Sequence, residues 1–166
     1  IGVLIAVIAV MGVAFAAFAT TLNINGSASI SSNWNITFAQ GTCTATSKDS
    51  GKPSSGTVSV SGTTATVVAN MASPGDVLTC TVKAQNQGTL DAVRTSWSLV
   101  GQVTDTTAYT VSLSPTTNPG SVLVAKSGSV VAEETLTITI TYKSTVTAKP
   151  SGAATFKAVA TYEQSL

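Results

Sequence analysis

The nineteen residues from Ile1 to Ala19 (IGVLIAVIAVMGVAFAAFA) carry no charged and no polar side chain, and the first charged residue is Lys48. Such a stretch does not rest in water. It ends in a bilayer, in a protein core, or is cut away. As a helix it would rise about 1.5 Å per residue, roughly 28 Å in all, close to the hydrocarbon thickness of a membrane. The reading therefore divides the chain into an apolar N-terminal helix over 1–19 and a separate domain over 20–166.

Three fates compete for the apolar head. A secretory signal carries a basic n-region and is lost by a cut after the apolar run, here near Ala14–Phe15–Ala16 or Ala17–Phe18–Ala19. A plain membrane anchor would keep the run. A cut before the run, leaving Ile1 at the mature end, is the habit of the peptidase that processes type IV pilin-like precursors. In this character the chain resembles type IV pilin-like filament subunits. Position five holds Ile5 where bacterial members usually carry a glutamate; the archaeal branch often lacks that acid. The resemblance implies membrane insertion before assembly, then bundling of the apolar helices in a filament core. The polymerising residues would be Ile1, Val3, Leu4, Ile5, Val7, Ile8, Val10, Met11, Val13, Phe15 and Phe18. Gly2, Ala6 and Ala9, at three- and four-residue spacing, would let such helices approach closely.

Beyond Thr20 the pattern changes to alternation. Leu22, Ile24, Ala28 and Ile30 fall on one face of a candidate strand interrupted by Gly26, and Trp34, Ile36 and Phe38 repeat the spacing. Thr57–Val60 and Thr64–Met71 flank Ser61-Gly62 as a hairpin. Pro74-Gly75-Asp76 is a turn, because proline fixes φ and glycine accepts a positive φ. Val77–Ala84 follows with Leu78, Cys80 and Val82 on one side, and Asn86-Gln87-Gly88 marks the next turn. Val93, Thr95, Trp97 and Leu99 alternate against Arg94, Ser96 and Ser98. Tyr109–Leu113 and Ser121–Ala125 are shorter strands. Leu136, Ile138, Ile140 and Tyr142 alternate cleanly with threonines, and Phe156, Ala158, Ala160 and Tyr162 form one face of the last strand. The stretch Thr42–Gly56, holding Lys48, Asp49, Lys52 and Pro53, reads as a loop. Eight to ten short strands and no helical period after residue 20 predict a mainly β chain. The expected form is an immunoglobulin-like or jelly-roll-like β-sandwich behind one apolar helix.

Composition narrows the compartment and the chemistry. The two cysteines, Cys43 and Cys80, read as one disulfide of an exported domain, stabilising the fold by about 3–4 kcal/mol on the chain-entropy view. Asn25-Gly26-Ser27 and Asn35-Ile36-Thr37 are acceptor patterns for N-glycosylation at Asn25 and Asn35. A net charge of +1 with 9% charged residues argues against nucleic acid as a partner. Histidine is absent and the seven carboxylates are scattered, so no catalytic, metal-binding or cofactor-binding set is expected. The one adjacent pair, Glu133-Glu134, falls on opposite sides of a strand or in a loop, unlike a paired-carboxylate site.

A second resemblance covers about half the chain. Phe15–Phe18 ahead of the first strand, Ser61-Gly62-Thr63-Thr64-Ala65-Thr66, Pro74-Gly75-Asp76 and Asn86-Gln87-Gly88-Thr89-Leu90 are similar to the TasA/camelysin family of secreted fibre proteins. That likeness implies a jelly-roll-like sandwich and assembly by donor-strand complementation, with Leu22, Ile24 and Ile30 on the donated strand. Both resemblances point to the structural subunit of an extracellular, cell-surface filament whose main partner is itself. They differ over what joins the copies: a helix bundle, or a strand from residues 20–30 added to a neighbour's sheet. A membrane-anchored domain binding cell-surface glycans through its loops is the competing expectation.

Overall fold

The computed structural model describes residues 32–100, 105–147 and 157–165. The apolar stretch 1–19, the strand read at Leu22–Ile30, the sequon at Asn25, and Phe156 lie outside the described residues. Within them the chain is mainly β, with nine strands: β1 (Ile36–Thr46), β2 (Ser55–Ser61), β3 (Thr64–Asn70), β4 (Val77–Asn86), β5 (Ala92–Val100), β6 (Tyr109–Ser114), β7 (Val122–Leu123), β8 (Ala132–Tyr142) and β9 (Lys157–Gln164). All pairings are antiparallel. They build a four-stranded sheet in the order β1-β4-β8-β6, a β2-β3 hairpin, and a three-stranded sheet in the order β7-β5-β9.

The four-stranded sheet organises the rest. Successive side chains along a strand point to opposite faces, so its register sorts apolar from polar residues. Cys43, Cys80, Ile138 and Leu113 form one inward row across all four strands. Leu78, Ala45, Ile140 and Val111 form the next. Leu78, Cys80, Val82, Leu136, Ile138 and Ile140 are buried, and Trp97 of β5 packs on them from the opposing layer. The Cys43–Cys80 disulfide forms within this core, between directly paired residues whose Cα atoms are 4.0 Å apart. The hairpin packs over the same face: a Cβ added at Gly56 would sit 2.5 Å from Leu78 Cδ2, so only glycine permits this approach. A second cluster stacks Tyr109 on Tyr142, ring centroids 5.0 Å apart, beside Ala108.

Turn chemistry follows the sequence where proline and glycine dictate it. Gly75 takes φ +97°, as the Pro74-Gly75-Asp76 reading expects, and its N–H donates to Tyr142 O at 2.7 Å. Asp76 is completely buried. Its carboxylate accepts from Lys48 N (2.7 Å), Ser54 Oγ (2.5 Å) and Ser73 N (3.0 Å), tying the turn to the 47–54 loop. Burial pushes this carboxyl up, but the hydrogen bonds outweigh it and hold the group below its ordinary value.

Three expectations are overturned. Thr42–Gly56 is not one loop: β1 continues to Thr46, because Cys43 and Ala45 supply the inward alternation, and β2 begins at Ser55. The alternation of Val93, Thr95, Trp97 and Leu99 against Arg94 fails, because a bulge between Arg94 and Ser96 flips the parity. Arg94 and Trp97 are consequently both buried. The strand before Asn86-Gln87-Gly88 runs through Asn86, which is itself buried: its Nδ2 donates to Leu90 O and Leu123 O, both at 2.8 Å.

Candidate functional site

The hairpin and the three-stranded sheet lie on the same face of the four-stranded sheet without joining. Among the described residues β3 pairs only with β2, and β9 pairs only with β5. Between these two edges runs a groove of about 400 Å³, walled by Ala65–Val67 of β3 and Ala158–Ala160 of β9. Its lining includes Val82, Trp97, Ile138 and Phe38, residues of the main core and its margin. A smaller hollow of about 170 Å³ lies beside Trp34, Ile36 and Tyr162 and shares Phe38, Thr63 and Ala160 with the groove.

The two walls differ from the edges that monomeric sheets usually present. A free edge offers a row of unpaired N–H and C=O groups, and proteins normally blunt it with lysine, proline or a bulge. The sequence of β3, TATVVAN, contains none of these, and β9 carries a lysine only at its first residue. The groove is also poor in converging polar groups, with Lys157 its one charged residue. A small-molecule site of this volume would hold a few precisely placed polar contacts. This one offers an apolar floor, main chain and the hydroxyls of Thr63, Thr64 and Thr66 along one wall.

One polar atom in the groove lining lacks a partner. Trp97 is 8% exposed, and its Nε1 is buried with no hydrogen-bond acceptor among the described residues. The indole nitrogen can only donate, and a buried donor without an acceptor costs about 1–3 kcal/mol.

A buried ionic cluster fixes the far wall. Arg94, fully buried on β5, donates through Nε to Glu134 Oε1 (3.0 Å) and Oε2 (3.1 Å) on β8. Its Nη2 donates to Thr117 O at 3.0 Å and its Nη1 to Asn118 Oδ1. Tyr162 on β9 donates its hydroxyl to Glu134 Oε2 at 2.9 Å. Burial, then the adjacent carboxylate, push the Tyr162 phenol far up, so it stays a donor. Glu134 of β8 therefore ties down both β5, through Arg94, and β9, through Tyr162. Glu133, the other half of the adjacent pair, points the opposite way to Lys83 Nζ (2.6 Å), and that bond with one from Gln85 lowers its carboxyl.

The remaining sequence-predicted residues are dispersed. Asn35 directly precedes β1, is half-buried, and accepts from Gln87 N at 2.8 Å through its main-chain oxygen. Asn33 likewise accepts from Thr89 N at 2.9 Å. The chain thus enters β1 along the flank of 87–89. Among the described residues no three His, Cys, Asp or Glu side chains gather as a metal site, and no helix is long and apolar enough to cross a membrane. Sequence reasoning missed the groove altogether. The bulge concealed that Arg94 faces inward on the same side as Trp97, and no local pattern tells whether two edges meet. No protein-family model matches the chain, and no curated protein or solved structure shows significant similarity to it.

Proposed function

We propose that this chain is the structural subunit of an extracellular filament, built as an incomplete sandwich of immunoglobulin-like or jelly-roll-like type. In this reading residues 20–30 of one copy fill the groove between β3 and β9 of the next. The helix over Ile1–Ala19 holds the chain in the membrane before assembly and packs with its counterparts in the filament core. The observation that carries the reading is the apolar-floored groove between β3 and β9, whose facing edges pair with no further strand among the described residues.

The chemistry is that of strand addition. Main-chain hydrogen bonds to a sheet edge supply affinity, and alternate side chains supply register. Leu22, Ile24 and Ile30 share one parity, which suits insertion over Val82, Ile138 and Phe38. Burying three aliphatic side chains gains roughly 5–9 kcal/mol before ordering costs. Ordering costs about 1–2 kcal/mol per residue of backbone. Ordering all eleven residues therefore exceeds what the three side chains gain, so main-chain hydrogen bonds to the edges and the apolar helix must supply the rest of the association.

The test is Ile24→Asp in the full chain, followed by electron microscopy of assembled material. A carboxylate forced against Val82 and Ile138 should abolish filaments while far-UV circular dichroism keeps its β signature. Filaments of normal length and number from this variant would overturn the proposal.

A further inference from the structure

The outward face of the four-stranded sheet is a lattice of hydroxyls. Register places Thr44, Thr79, Thr139 and Ser112 in one rank across β1, β4, β8 and β6. Thr42, Thr81, Thr137 and Ser114 form the next rank, in which Thr42 Oγ1 and Thr81 Oγ1 lie 3.1 Å apart. A further rank runs Thr46, Val77, Thr141 and Thr110, its one apolar member being Val77. The only charges on these four strands' outward side are Lys83 and Glu133, paired with each other at one end. The edge strands β1 (ITFAQGTCTAT) and β6 (YTVSLS) contain no charged residue at all.

This is an unusual way to face water. Solvated sheet faces and edges of monomers carry charges of both signs, which keep copies apart. Here every outward position of these ranks except Val77 carries a hydroxyl, most of them threonine, with no charge to repel an identical surface. Each hydroxyl both donates and accepts, so two copies of the face are complementary to each other under a two-fold operation. With strands about 4.8 Å apart and two-residue steps of about 6.8 Å, four strands by three ranks cover roughly 400 Å². A standard stable interface buries about 800 Å² on each partner. One pair of faces is therefore too small to hold two isolated copies, but a row of such faces repeated along a polymer gains from every added contact.

We propose that the hydroxyl face of β1-β4-β8-β6 is the lateral contact through which neighbouring filaments of this chain lie side by side, face against face. The inference rests on the filament reading above, and the occupant is a second copy of the chain.

Filaments of the full chain with Thr139→Lys and with Thr139→Glu test it, read by low-speed pelleting and negative-stain microscopy. The parent should pellet as bundles. Each variant alone should form single filaments that stay in the low-speed supernatant, because every subunit now meets a like charge. Raising salt to about 1 M shortens the screening length to about 3 Å and should restore pelleting, as should mixing the two variants. Thr44→Lys, at an exposed position of an edge strand, gives the same readout should position 139 disturb folding. Variant filaments that bundle like the parent overturn the lateral contact and leave the filament reading standing. Sugars found on Thr79 or Thr139 of native material also overturn it. A parent chain that never forms filaments overturns both.

Discussion

Replacing Arg94 by methionine tests what joins the two layers. The guanidinium is 0% exposed, and Glu134, its ion-pair partner at 2.9 Å, has a side chain only 10% exposed. Methionine fills the space of the aliphatic stem but leaves the Glu134 carboxylate, among the described residues, with only the Tyr162 hydroxyl as a donor. Breaking a buried pair by removing one partner costs about 3–5 kcal/mol, because the surviving charge is uncompensated. For a domain of this size that is a fall in Tm of roughly 10–20 °C. The double variant R94M/E134L removes both charges and should recover to within about 2 kcal/mol of the parent, since an apolar replacement of a buried pair is often neutral. Denaturant unfolding of the full chain in mild detergent, with all four members of the cycle, measures the coupling. A single variant costing under about 1 kcal/mol, or a double variant as costly as the two singles summed, would refute the argument that this pair clamps β5 over β8.

Two further outcomes follow from groups already described. The Asp76 carboxyl lies below its ordinary value in the folded chain, so its stabilisation is complete above the unfolded value of about 3.9 and is lost as pH falls through the folded value. Stability should be flat from about pH 7 to pH 5 and decline below about pH 4; in D76N that acid-side decline should shrink while neutral stability drops, as thermal melts across pH would show. Placing a charge in the apolar head, Ile8→Asp or Val10→Asp, should abolish filaments by electron microscopy while the β domain stays folded.

Much of the β architecture is legible locally. The strict alternation of Leu136, Ile138 and Ile140 with threonines predicts β8, and Leu78, Cys80 and Val82 predict β4, because one face of each must be buried. Gly62 marks the β2-β3 turn for a conformational reason: its φ is +56°. What escapes is whatever depends on pairing. The bulge at Arg94 is an extra residue relative to the partner strand, invisible without that partner, and it reverses which residues of β5 face inward. The end of β1 is masked because Thr42–Thr46 offers only Cys43 and Ala45 as apolar signals. The groove is the extreme case, since it exists only because β3 and β9, far apart in sequence, bracket the same floor.

The central claim is that residues 20–30 of one copy occupy the groove of another. Filaments grown from equal parts of ¹⁴N- and ¹⁵N-labelled full chain, joined by a short photo-activated cross-linker at position 24 and digested for mass spectrometry, address it directly. Cross-links from segment 20–30 to Ala65–Val67 or Ala158–Ala160 should appear half in mixed-isotope pairs. Cross-links to the same walls found only within a single isotope would mean each chain fills its own groove, contradicting strand exchange as the joint between copies.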